Sequence, residues 1–153
     1  MKSVSKNSVF YLQTCLLGAL LCFTLPSFAK DSITASQAWV RPTVPGQEVT
    51  GAFLTLQSTR HARLIKVESA AAESAEIHSM SMHDGVMHMQ ELKELLLPAG
   101  KPVKLAPGGF HIMLINVKKQ LREGDTVALT LTIRNDDKTI RTTHVKAVVG
   151  TPK

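Results

Sequence analysis

The five methionines that follow Met1 are Met80, Met82, Met87, Met89 and Met113, and all lie in one stretch with His78, His83, His88 and His111. Only His61 and His144 fall outside it. Thioether sulfur is a soft, neutral donor that suits monovalent copper, whereas zinc, calcium and magnesium want imidazole, thiolate or oxygen. Histidine and methionine gathered together therefore point to Cu(I). A site without cysteine also suits an oxidising compartment, where paired thiols would close into a disulfide and methionine fails only by sulfoxidation.

These side chains need elements that aim them at one point. The segment from Glu76 to Glu91 has the pattern of a β-hairpin with Asp84-Gly85 in its turn. A four-residue loop, Met82 to Gly85, would set His78 opposite Met89 and Met80 opposite Met87. A two-residue loop would slide that pairing by two. Either way His78, Met80, Met87 and Met89 share a face, because side-chain direction repeats every second residue. In Phe110-His111-Ile112-Met113-Leu114 the alternation sends His111 and Met113 one way and the apolar trio the other, towards a core. One imidazole and one thioether from the hairpin, with one of each from this strand, would make a set of two histidines and two methionines.

The rest of the chain reads as β structure throughout. Short β-type runs alternate with turn clusters, and no amphipathic helical window exceeds about two turns. Strands are expected at 33–40, 50–57, 64–68, 76–81, 86–92, 103–105, 110–117, 126–134 and 139–149. Pro42, Pro45-Gly46, Pro98-Ala99-Gly100 and Pro107-Gly108-Gly109 punctuate them. Val127, Leu129, Leu131 and Ile133 mark a strand with one buried face, and Asn135 to Lys138 follows as a turn with Asx chemistry. Ser69 to Ala75 is alanine-rich enough for one helical turn. About nine short antiparallel strands suit an all-β sandwich of two packed sheets.

Composition narrows the functions open to such a domain. The chain has 153 residues, 44% hydrophobic and 20% charged, enough for one domain. Residues 1–29 read as a signal peptide: Lys2 and Lys6 open it, Val9 to Leu25 is uncharged and mostly apolar, and Ser27-Phe28-Ala29 offers the small residues of a cleavage site. Cleavage is expected after Ala29, which places the protein in the periplasm, without stable membrane insertion. The apolar run is at the short edge for a spanning helix, so an uncleaved anchor is the alternative. Neither Cys15 nor Cys22 follows a lipobox. The remaining domain, 30–153, has no cysteine or tyrosine, and its aromatics are Trp39, Phe53 and Phe110. Without Lys2 and Lys6 its formal charge falls from +6 to +4. Disulfide and thiolate chemistry are thereby excluded. So is nucleic-acid binding of the single-strand type, which needs interleaved aromatics and clustered basic residues. The longest basic run, Lys118-Lys119, reads as a solvated loop.

His78, ten residues, Met89, twenty-one residues, then His111-x-Met113 resembles the full signature of the PCu(A)C copper chaperones, which are periplasmic. The likeness extends to Ala38-Trp39-Val40-Arg41-Pro42, Gly51-Ala52-Phe53-Leu54-Thr55-Leu56, Leu97-Pro98-Ala99-Gly100 and Pro107-Gly108-Gly109. The resemblance implies a cupredoxin-like, Greek-key β-sandwich whose His78, Met89, His111 and Met113 bind Cu(I) near the surface. It further implies delivery of copper to the binuclear copper centre of a haem-copper (cytochrome c) oxidase, often alongside a thioredoxin-like Sco protein. Some relatives carry a His- and Met-rich C-terminal tail for Cu(II). Gly150-Thr151-Pro152-Lys153 has none of those residues, which speaks against a strong second site.

Taken singly, a methionine on an alternating strand is core filler and a lone histidine a surface or satisfied core residue. The family spacing reverses that reading for the four signature residues. Met80 and Met87 lie on the ligand face outside the signature, as auxiliary copper contacts or as an apolar rim. His83 and His88 could form a weaker Cu(II) site, while His61 and His144 face solvent with no nucleophile or base to pair with. Glu76 and Glu91 read as solubilising carboxylates, so no enzyme is expected. Storage or resistance without a dedicated oxidase recipient is the rival function. A blue-copper electron carrier would need the missing cysteine, and a histidine-brace oxygenase would need His where Lys30 stands. A sandwich that binds no metal is the remaining rival.

Overall fold

The computed structural model describes residues 32–151; the expected signal segment and its cleavage site lie outside the described residues. The strands are β1 (Ile33–Val40), β2 (Val49–Ser58), β3 (Ala62–Glu68), β4 (Ala72–His83), β5 (Val86–Glu91), β6 (Leu95–Leu97), β7 (Pro102–Leu105), β8 (His111–Val117), β9 (Thr126–Asn135) and β10 (Ile140–Val149). Among the described residues there is no helix. Period-2 patterning explains the strands directly: in β9 Val127, Leu129, Leu131 and Ile133 are buried while the threonines between them are not. Each buried aliphatic side chain of that size contributes roughly 1.5–3 kcal/mol.

Hydrogen bonding runs unbroken through the order β5-β4-β8-β2-β1-β10-β9-β3-β6, with β7 also paired to β2. Every pair is antiparallel except β1 with β10, where Trp39 meets Val148 and Val40 meets Val149. One core cluster draws Leu54, Ile77, Ile112 and Leu114 from one side of that seam and Leu64, Leu129, Leu131 and Ile133 from the other. A single sheet can share one core in this way only by folding over on itself. The expected sandwich is thus present, as one open mixed sheet rather than two antiparallel ones. A register shift in β1 between Ser36 and Trp39, with Gln37 at φ 53°, bends the strand just before the seam.

Three local readings give way to tertiary context. Leu95-Leu96-Leu97 was too short to show alternation, yet it forms β6, with Leu95 and Leu97 buried and Leu96 exposed. Ser69 starts a turn instead of a helix: its hydroxyl donates to the Ala128 carbonyl at 2.8 Å, and β4 begins at Ala72. Phe110 precedes β8 in an isolated bridge to Leu105 and stays 38% exposed, so only Ile112 and Leu114 of the expected trio enter the core.

Candidate metal centre

Asp84 and Gly85 both have positive φ, 48° and 76°, the signature of a two-residue type I′ hairpin turn. His83 therefore pairs with Val86, Met82 with Met87, Ser81 with His88, Met80 with Met89, and His78 with Glu91. The four-residue loop is overturned and the slid register holds. Side-chain parity is unchanged, so His78, Met80, Met82, Met87 and Met89 share one face. On the other edge of β4, His78 pairs with His111 and Glu76 with Met113, while Met113 in turn faces Gly51 of β2. The two imidazoles stand side by side on adjacent strands, ring centroids 5.7 Å apart.

The hydrogen bonds of these rings determine which nitrogens remain available. Carbonyl and carboxylate oxygens only accept, so a ring nitrogen facing one carries the proton. His111 Nδ1 donates to the Gly109 carbonyl at 3.0 Å, leaving the Nε2 lone pair uncommitted. His78 Nε2 donates to Glu76 Oε2 at 2.9 Å, so its Nδ1 holds the lone pair. That Nδ1 is buried and has no hydrogen-bond partner. A buried acceptor left bare costs about 1–3 kcal/mol, and a soft metal ion would remove that cost. In both rings the partner of the protonated nitrogen fixes the tautomer, as outer-shell groups do for metal-binding histidines.

The Gly109 carbonyl is placed by a tight turn. Gly109 N donates to Ala106 O at 3.0 Å, with Pro107 and Gly108 (φ 82°) in the centre, the requirements of a type II turn. The same carbonyl accepts from Met80 N at 3.1 Å, tying the turn to β4 just beyond the histidine pair.

His111, Met113, Met80 and Met89 line one cavity of about 340 Å³, walled by Arg41, Gly51, Phe53 and the Pro107-Gly108 turn. His78 borders it through His111 rather than lining it. Three of the four expected ligands thus share a cavity and the fourth abuts it. Met80 joins them, whereas Met87 stands farther out on the hairpin. His111 is only 5% exposed, deeper than a surface site suggests, while Met89 is 54% exposed. His83 and His88 lie on the opposite hairpin face, in rungs two apart and exposed. Among the described residues no three His, Cys, Asp or Glu side chains gather as a metal site. A larger cavity of about 680 Å³, along β1, β2 and β7, contains no histidine or methionine. Outside the cluster, His144 Nδ1 meets Thr130 Oγ1 at 3.2 Å.

The aromatic wall was not anticipated from the sequence. Trp39 stacks on Phe53 at 4.3 Å, Phe53 lies 6.4 Å from the His111 ring, and the Arg41 guanidinium sits 5.8 Å from the Phe53 centroid. A Cβ at Gly51 would come within 2.8 Å of Phe53 Cζ, so the glycine lets the ring fold back over β2 beside the histidines. The available signal was Gly51-x-Phe53, two same-face positions of one strand.

This arrangement has the cupredoxin-like fold of PCuAC domains. The apo PCuAC domain from PmoF1 superposes with a TM-score of 0.63 at 22% identity, over 78% of this chain and 94% of that one. The solution structure of Cu(I)-DR1885 from Deinococcus radiodurans matches with a TM-score of 0.55 at 29% identity, over 76% of each chain. The chain belongs to the LpqE-like family, described as putative lipoproteins, whose profile matches residues 33–148. A putative lipoprotein of Leifsonia xyli subsp. xyli is 37% identical over 109 residues, which are 69% of this chain and 64% of that relative. The chain therefore matches just under two thirds of that relative's length. No helix among the described residues is long and apolar enough to cross a membrane.

Proposed function

We propose that the protein is an exported copper carrier, holding Cu(I) with His78, Met89, His111 and Met113 and giving it up by ligand exchange. The observation that carries this reading is the bare, buried Nδ1 of His78, beside a His111 whose Nε2 is equally uncommitted. His111 lines a cavity furnished with thioethers and His78 stands beside it on the neighbouring strand, and imidazole with thioether is the donor set that selects Cu(I). The DR1885 protein, whose solution structure is that of its Cu(I) form, shares 29% identity with this chain.

The burial gradient supports carriage rather than permanent retention. His111 is enclosed, but Met89 sits on the edge strand β5 and is half open to solvent. A recipient's ligand can replace Met89 first, while the histidines still hold the ion. All four donors are neutral, so Glu76, hydrogen-bonded to His78, supplies negative charge beside the site. Our reading of the destination follows the family resemblance: the binuclear copper centre of a haem-copper oxidase, with a Sco-type thioredoxin-like protein as co-worker. We place the protein in the periplasm after cleavage behind Ala29, and the family's description as putative lipoproteins agrees with export.

Native mass spectrometry against a competing Cu(I) chelator tests the site. The wild type should retain copper that His78→Ala, His111→Ala and Met89→Leu lose, with the apo fold intact in each. Undiminished retention in both histidine variants would overturn the proposal.

A further inference from the structure

The hairpin carries more sulfur than one four-ligand site uses. Every residue from Ser81 to Glu91 is exposed, so the β4–β5 hairpin reaches past the core with neither face packed. Its signature face nevertheless continues outward from the histidine pair as two rungs of methionine, Met80 with Met89 and Met82 with Met87. Met82 is 67% exposed, Met87 49% and Met89 54%. Burying a methionine stabilises a fold, and these three forgo much of that gain. General stickiness of the hairpin does not explain them, because its other face carries Ser79, Ser81, His83, His88 and Gln90, with Val86 beside the turn its one apolar side chain. The asymmetry follows the face, and that face leads to the histidines.

Geometry permits the outer sulfurs to converge. Directly opposed side chains have Cβ atoms about 4.5–5.5 Å apart, and successive rungs on one face are about 7 Å apart. A methionine has three rotatable bonds with which to close such gaps. We propose that Met80, Met82 and Met87 form a second, outer Cu(I) site of thioethers alone, which accepts the ion at the exposed hairpin and passes it inward across the Met80–Met89 rung. Each transfer exchanges one neutral sulfur ligand for another, and copper stays monovalent throughout. The inference rests on the soft-metal reading of this face, but the outer site needs neither His78 nor His111.

The test is an anaerobic Cu(I) titration of full-length protein labelled at the methionine methyl carbons, followed by NMR. In the wild type the first equivalent should shift Met89 and Met113, with Met80 at their cavity responding too, and the second should shift Met82 and Met87. In a His78→Ala, His111→Ala protein the outer methyls should shift with the first equivalent. A Met82→Leu, Met87→Leu protein, altered only at exposed positions, should keep the first equivalent and lose the second. Met82 and Met87 methyls unmoved through two equivalents would overturn the outer site and leave the inner one standing. A double histidine variant in which Met89 and Met113 still respond first would instead overturn the inner site.

Discussion

Replacing Glu76 with alanine isolates the contribution of an outer-shell group to copper affinity. Glu76 Oε2 accepts from His78 Nε2 at 2.9 Å and so holds the imidazole with Nδ1 deprotonated and buried. Without the carboxylate, either nitrogen of His78 can take the proton and the ring loses its fixed orientation. Outer-shell partners of this type are worth about 10–100-fold in metal affinity. At about 1.4 kcal/mol per tenfold, that is roughly 1.4–2.8 kcal/mol of binding free energy. Glu76 is on β4 opposite Met113, outside the buried core, so the apo fold should survive. Competition with a Cu(I) chelator at fixed pH gives the affinity directly, and thermal unfolding of the apo protein controls for folding. An affinity within about twofold of wild type, with the fold intact, would refute the tautomer argument.

Two further perturbations test the surroundings. Gly51→Ala would place a Cβ 2.8 Å from Phe53 Cζ, on a ring clamped by Trp39, so it should destabilise the apo protein by about 1–3 kcal/mol in denaturant titrations and weaken copper binding; unchanged stability would mean the aromatic wall is loose. The Thr139 hydroxyl and then its backbone N–H hold the Asp137 carboxyl below its ordinary value of 3.8. A lowered carboxyl stabilises the fold above its unfolded pKa and loses that contribution as pH falls through the folded value. The melting-temperature advantage over Asp137→Asn should therefore be full at neutral pH and shrink below 3.8; an advantage constant into strong acid would contradict it.

Much of the fold was legible because the strands follow period-2 burial. β1 spans its expected residues, and the turn between β9 and β10 forms where the Asx residues place it, with Lys138 at φ 66° closing the loop. Long-range pairing was not legible. No local pattern announces that β1 and β10 run parallel, or that a three-leucine run becomes β6. At the site, parity alone placed His78, Met80 and Met89 on one face whichever turn formed. What sequence could not supply was the partner of each ring nitrogen, because Gly109 and Glu76 become relevant only once the Pro107 turn and β4 are in position. The pocket wall was hidden for the same reason, since Arg41 and Phe53 join His111 around one cavity only once β2 pairs with β8.

The most direct test of the central claim is X-ray absorption at the copper edge of protein loaded with a single equivalent of Cu(I). Two nitrogen and two sulfur scatterers are predicted, with the nitrogen shell lost in His78→Ala, His111→Ala protein and the sulfur shell reduced in Met113→Leu. A first coordination sphere of sulfur alone, or of nitrogen and oxygen alone, would contradict the account.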